Sequence, residues 1–103
     1  MRWHKSLYVG ETANRMKYRM IGKIRYHRPQ KNAYVIVLSS NRKNLLDILP
    51  AYELLWDYYR HKEMLVVGLA HGYDEALEVV RLIIHDIYRN TGGFDVEKYF
   101  TNK

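Results

Sequence analysis

The sequence predicts a small α/β fold, and three observations carry that expectation. Two uninterrupted apolar runs, Tyr34-Val35-Ile36-Val37-Leu38 and Met64-Leu65-Val66-Val67-Gly68-Leu69-Ala70, have the β-branched density of strands buried on both faces. Elsewhere apolar residues return at helical spacing, most clearly at Ala76, Leu77, Val80, Ile83, Ile84 and Ile87. The length, 103 residues, suits one domain over 1–103, because a chain this short buries too little surface for two cores. Helical crossovers between apolar strands give the order β-α-β-(β)-α-β-α, a mostly parallel sheet of three or four strands covered by helices.

Ser6-Leu7-Tyr8-Val9-Gly10 reads as the first strand, ended by glycine. Thr12 or Asn14 can cap the next segment, in which Met16, Met20, Ile21 and Ile24 mark an inner stripe. That helix stops before Pro29, and Gly22 weakens it from within. The run at 34–38 is the expected central strand, and 39–44 is turn chemistry. Leu45-Leu46-Asp47-Ile48-Leu49 reads as a short returning strand, with Pro50 opening a second helix that buries Leu54, Leu55, Tyr58 and Tyr59. Arg60-His61-Lys62 suit that helix's negative end. After the strand at 64–70, a long helix begins at Asp74 and stops at Asn90-Thr91-Gly92-Gly93. The tail at 94–100 is expected to dock as a short helix capped by Asp95.

Apolar residues make up 48% and charged residues 27%, a globular balance that sets disorder aside. With no cysteine, disulfides, thiolate nucleophiles and cysteine-ligated metal centres are excluded. No apolar run reaches the roughly 18 residues of a membrane span, and the start carries no signal-peptide core, so a cytoplasmic protein without a membrane partner is expected. The charge is uneven. Residues 1–31 hold nine basic side chains (Arg2, Lys5, Arg15, Lys17, Arg19, Lys23, Arg25, Arg28 and Lys31) against one acid, Glu11. They carry +8 of a net +6, and the rest of the chain is −2.

That asymmetry points to an anionic partner, with nucleic acid first among candidates. Arg15, Lys17, Arg19, Lys23, Arg25, His27 and Arg28 are the candidate contacts, interleaved with Tyr18 and Tyr26, which can lay rings against bases. A solvated helix face whose stems cover the core accounts for the same residues. A second candidate is a crevice at the carboxyl ends of the strands, where Tyr8, Glu11, Thr12, His71 and Tyr73 would meet. A histidine beside a carboxylate there could do acid–base work, although Gly68 and Gly72 match no phosphate-binding fingerprint.

The five histidines are scattered and Ser39-Ser40 has no nucleophile-elbow context, so neither a catalytic residue nor a metal or other cofactor is assigned. Ten tyrosines, Tyr52, Tyr58, Tyr59 and Tyr88 among them, make a homo-oligomer a further expectation.

Tyr8-Val9-Gly10-Glu11-Thr12, followed by Asn14, Arg15, Arg19 and His27, resembles the second half of the signature of GIY-YIG endonucleases. The resemblance implies a metal-dependent nuclease or its remnant, with Arg15 or Arg19 as the catalytic arginine and Glu53 as the metal-binding glutamate. No Gly-Ile-Tyr precedes Tyr8 in this sequence. Over most of its length the chain is similar to small bacterial proteins of unknown function that share the Tyr-Val-Gly-Glu start. They also share a segment like Val66-Val67-Gly68-Leu69-Ala70-His71-Gly72-Tyr73-Asp74-Glu75-Ala76-Leu77 and an ending near Thr91-Gly92-Gly93-Phe94-Asp95-Val96. That likeness implies an α/β fold and no activity.

Overall fold

The two uninterrupted apolar runs form the inner strands of a four-stranded sheet, where side chains on both faces are covered. The computed structural model describes residues 2–39, 46–55 and 64–101. In chain order it has β1 (Arg2–Val9), α1 (Glu11–Arg15), α2 (Lys17–Arg25), β2 (Ala33–Ser39), β3 (Leu46–Pro50), a 3₁₀ turn (Ala51–Leu55), β4 (Met64–His71), α3 (Tyr73–Thr91) and α4 (Val96–Thr101). The sheet order is β1-β4-β2-β3.

The sheet is mixed, which corrects the expectation of a mostly parallel one. β1 and β4 are parallel, whereas β2 runs antiparallel to both β4 and β3. The reason lies in where the chain re-enters the sheet: Ala33 pairs with His71 and the Asn32 carbonyl accepts the Gly72 N–H at 2.6 Å, so β2 starts at the carboxyl end of β4, the end at which β1 leaves. β2 therefore runs back along the sheet, two places from β1 and in the opposite sense. A fully apolar strand reports burial on both faces, and an inner antiparallel strand under two helical layers is buried just as well.

Three local expectations also change. The basic segment is two helices, because the backbone leaves helical geometry at Met16 (φ −128°, ψ 27°). Neither Thr12 nor Asn14 caps it; the N-cap is Gly10, which has no side chain to offer. Pro50 does not open a helix but ends β3, an edge strand where a missing N–H costs no ladder bond. The 3₁₀ turn follows it, and the rest of that expected helix, including Tyr58, Tyr59 and Arg60-His61-Lys62, lies outside the described residues, as does most of the 39–44 turn.

The tail forms α4 as expected, with Asp95 Oδ1 accepting the Lys98 N–H at 3.0 Å. On α3 the fully buried stripe is Ala76, Val79, Ile83 and Ile87, while Leu77 is exposed. Gly92 closes this helix at φ 75°, a conformation that costs a glycine little.

One sheet face packs on α1 and α2 through Ala13, Met20, Ile24, Val35, Val37, Val66 and Leu69. The other packs on α3 and α4 through Ile36, Val67, Ala70, Val79, Ile83, Ile87, Val96 and Phe100. In β4 strict alternation fails, since Val66 and Leu69 share one face and Val67 and Ala70 the other. A bulge explains it. Ile36 pairs with Gly68 and Val37 with Val66, leaving Val67 as an extra residue. The edge strand β1 swells at the same level, between Trp3, paired with Val66, and Tyr8, paired with Gly68.

Candidate nucleic-acid interface

Helices α1 and α2 lie on the sheet by their small and apolar side chains, Ala13, Met20 and Ile24, all buried. What remains outside is mainly basic and aromatic, with Glu11, Thr12 and Asn14 also exposed on α1. Arg15, Arg19, Arg25, His27 and Arg28 are exposed, and Lys17 and Lys23 are half-buried. Tyr18 is 82% exposed and Tyr26 78%, far more than an edge-of-core tyrosine would be. Among the described residues, no carboxylate pairs with any of these cations. Two of them rest on rings instead: Lys17 Nζ lies 5.7 Å from the Tyr18 centroid, and the Arg25 guanidinium lies 5.9 Å from the Trp3 ring on β1. Trp3 itself packs against the core cluster under α1 and α2, so Arg25 is held over a fixed platform.

At about 100° per residue, Tyr18 on α2 and Tyr26, its C-cap residue, fall within about 80° of each other, with Gly22 midway and Arg25 and Arg19 on either side. A side chain at Gly22 would meet nothing within 4 Å. The outward face of α2 is therefore two rings separated by bare backbone and bordered by guanidinium groups.

The crevice beside it is built differently from the expectation. β1 and β4 are parallel neighbours there, and the Gly10 N–H donates to the Leu69 carbonyl at 2.9 Å. The space beyond is filled by the Glu75 carboxylate, from the first turn of α3. Its Oε1 accepts the Thr12 N–H at 2.7 Å, and its Oε2 accepts the N–H groups of Ala13 at 3.1 Å and His71 at 2.7 Å. Burial alone would raise the Glu75 carboxyl, but these N–H groups and the Thr12 hydroxyl outweigh it and hold the pKa below its ordinary value. The protein's own anion thus occupies the start of α1.

Of the five residues expected to converge, Thr12 and His71 meet through Glu75. Glu11 is exposed, and Tyr73 leans edge-on against Tyr34, with ring centroids 5.8 Å apart. Tyr8 points through the sheet to the opposite face, where its hydroxyl donates to Asp86 Oδ2 at 2.8 Å and lies 3.1 Å from the Tyr99 hydroxyl.

That opposite face holds a hollow of about 220 Å³ lined by His4, Ser6, Tyr8, Asp86, Tyr99 and Phe100, which the sequence reading missed. Burial, then its bonds to Tyr99 and Asp86, push the Tyr8 hydroxyl pKa well above its ordinary value. In the swollen part of β1, His4 Nδ1 accepts the Ser6 N–H at 3.1 Å, and its buried Nε2 has no hydrogen-bond partner among the described residues. The ring packs edge-on with Phe100 at 5.2 Å. One signal was available: Asp86 is an acid set between Ile83 and Ile87 on the apolar side of a helix.

Among the described residues, no group of three or more metal-ligating side chains comes together, and no helix is long and apolar enough to cross a membrane. Of the tyrosines considered for an interface, Tyr52 and Tyr88 are exposed, Tyr88 stacking with exposed Phe94 at 5.2 Å. Fold and surface together define a mixed α/β sheet that carries a basic, aromatic helical face. Comparison with protein-family models, curated proteins and solved structures finds no match to this chain.

Proposed function

We propose that the outer face of α1, α2 and the turn after them binds nucleic acid, and that the chain is a binding or regulatory module and not an enzyme. One observation carries the reading: Arg15, Lys17, Arg19, Lys23, Arg25 and Arg28 lie on the two helices that cover one sheet face and on the turn after them, with no carboxylate partner among the described residues. Unpaired cations at this density repel one another unless counterions or phosphates neutralise them. Transfer of phosphates onto such a face releases condensed counterions from the nucleic acid, which drives association. The place where open α/β sheets hold small ligands is taken up by Glu75, which favours a surface over a pocket as the working part.

Fluorescence anisotropy with a labelled oligonucleotide at low salt tests the reading. An Arg15→Glu, Arg19→Glu, Arg25→Glu variant that retains its circular dichroism should lose at least about tenfold in affinity, since each lost phosphate contact removes a counterion-release contribution. Equally negligible binding by wild type and variant refutes it.

A further inference from the structure

Basic charge alone does not separate single-stranded from duplex nucleic acid, and the outward face of α2 carries two exposed rings besides its charge. We propose that Tyr18 and Tyr26 form a stacking platform for the bases of a single strand, DNA or RNA, with the bare backbone at Gly22 as the floor between them. The inference rests on the nucleic-acid reading above and names its substrate class.

Three features argue for it. Tyr18 and Tyr26 present most of their surface to solvent, although tyrosine rings gain by burial and are not needed here to cover the core. They are two helical turns apart on one face, about 12 Å along the axis at 1.5 Å per residue. That distance spans about three or four nucleotides of a stacked strand at 3.4 Å each. A β-carbon at Gly22 would meet nothing within 4 Å, so no side chain stands between the rings and a strand can lie flat against the helix.

The flanking groups fit the same ligand. Arg19 and Arg25 border the rings, where phosphates of a strand with its bases turned inward would run. Lys17 Nζ lies 5.7 Å from the centroid over one face of the Tyr18 ring, so a base would take the other face, with the cation's charge close by for its phosphate. In a duplex the base faces are covered by their neighbours, so only its phosphates could use this surface. The face should therefore hold duplex through charge alone and a single strand through charge plus stacking.

The test compares oligodeoxythymidine and oligouridine 12-mers with a hairpin duplex of matched charge, by anisotropy, for wild type, a Tyr18→Ala, Tyr26→Ala variant and a Tyr18→Phe, Tyr26→Phe variant. The expected result is single-strand affinity at least about tenfold above duplex for wild type. The alanine pair should lose about 10- to 100-fold on single strands with duplex binding and salt slope unchanged, and the phenylalanine pair should keep wild-type affinity. Both rings are exposed, so neither pair should disturb folding, which circular dichroism checks. Equal affinity for single strand and duplex, with no effect of the alanine pair, overturns the platform and leaves the basic surface standing. Absence of binding to every probe overturns both.

Discussion

The carboxylate of Glu75 occupies the space in which a side chain on Gly10 would begin. A β-carbon at Gly10 would run into Glu75 Cγ, Cδ and Oε2. The glycine that ends β1 is thus there to admit the acid that caps α1, and the two should behave as one unit. Gly10→Ala should cost about 1–3 kcal/mol through overpacking, and Glu75→Ala about 2 kcal/mol through three lost charge-assisted bonds. In the double variant the Gly10→Ala penalty should largely vanish, because its obstacle is gone. Urea unfolding of the four proteins measures the coupling; strictly additive losses would mean that the two residues do not share this space.

Acid should weaken the same contact. The folded pKa of Glu75 lies below its ordinary value of 4.5, so the folded state binds its proton less readily than the unfolded chain. Its stabilisation is complete above that ordinary value and drains as the pH falls through the lower folded one. Unfolding free energy of wild type should fall on acidification more steeply than that of Glu75→Gln, which has nothing to titrate there. Parallel curves would remove Glu75 from the acid response.

The Tyr8 hydroxyl gives the opposite sign. Its folded pKa is raised above the ordinary 10.0, so its stabilisation is complete below that value and lost as the pH rises beyond it. Tyr8→Phe removes the bonds to Asp86 and Tyr99 and should cost about 1–2 kcal/mol at neutral pH. The gap between wild type and variant should narrow as the pH rises above 10.0, whereas a constant gap would contradict the assignment.

Gly22 is the position where a stabilising change is expected. It lies inside α2 with open space around its would-be β-carbon, so Gly22→Ala should raise stability by about 0.5–1 kcal/mol through helix propensity alone. Thermal unfolding checks the direction, and a lower midpoint would show that the position carries a packing constraint.

Strand and helix content was legible where the residues left one physical solution. The run Val35-Ile36-Val37 can be satisfied only between two covered faces, and Asp95 before an apolar turn can only start a helix. Strand direction was not legible, because burial is indifferent to it; it follows from α1 and α2 returning the chain to the end of the sheet that β1 left, where Ala33 pairs with His71. Glu75 lies in a helix's first turn, where an acid is ordinary, and its service to a different helix, more than sixty residues earlier, has no local signature. The cations of α2 were visible at once. Tyr18 and Tyr26 were legible as rings able to meet bases; what the sequence did not show is how fully they stand in solvent.

If the unpaired cations on α1, α2 and the following turn meet phosphates, association with a single strand depends steeply on salt. For a single strand, log Kobs should fall linearly with log salt, with a slope of about −0.7 for each phosphate neutralised. Charge reversal at Arg15, Arg19 and Arg25 should make that slope shallower by about 2. A wild-type slope near zero, or the same slope in wild type and variant, would contradict the account.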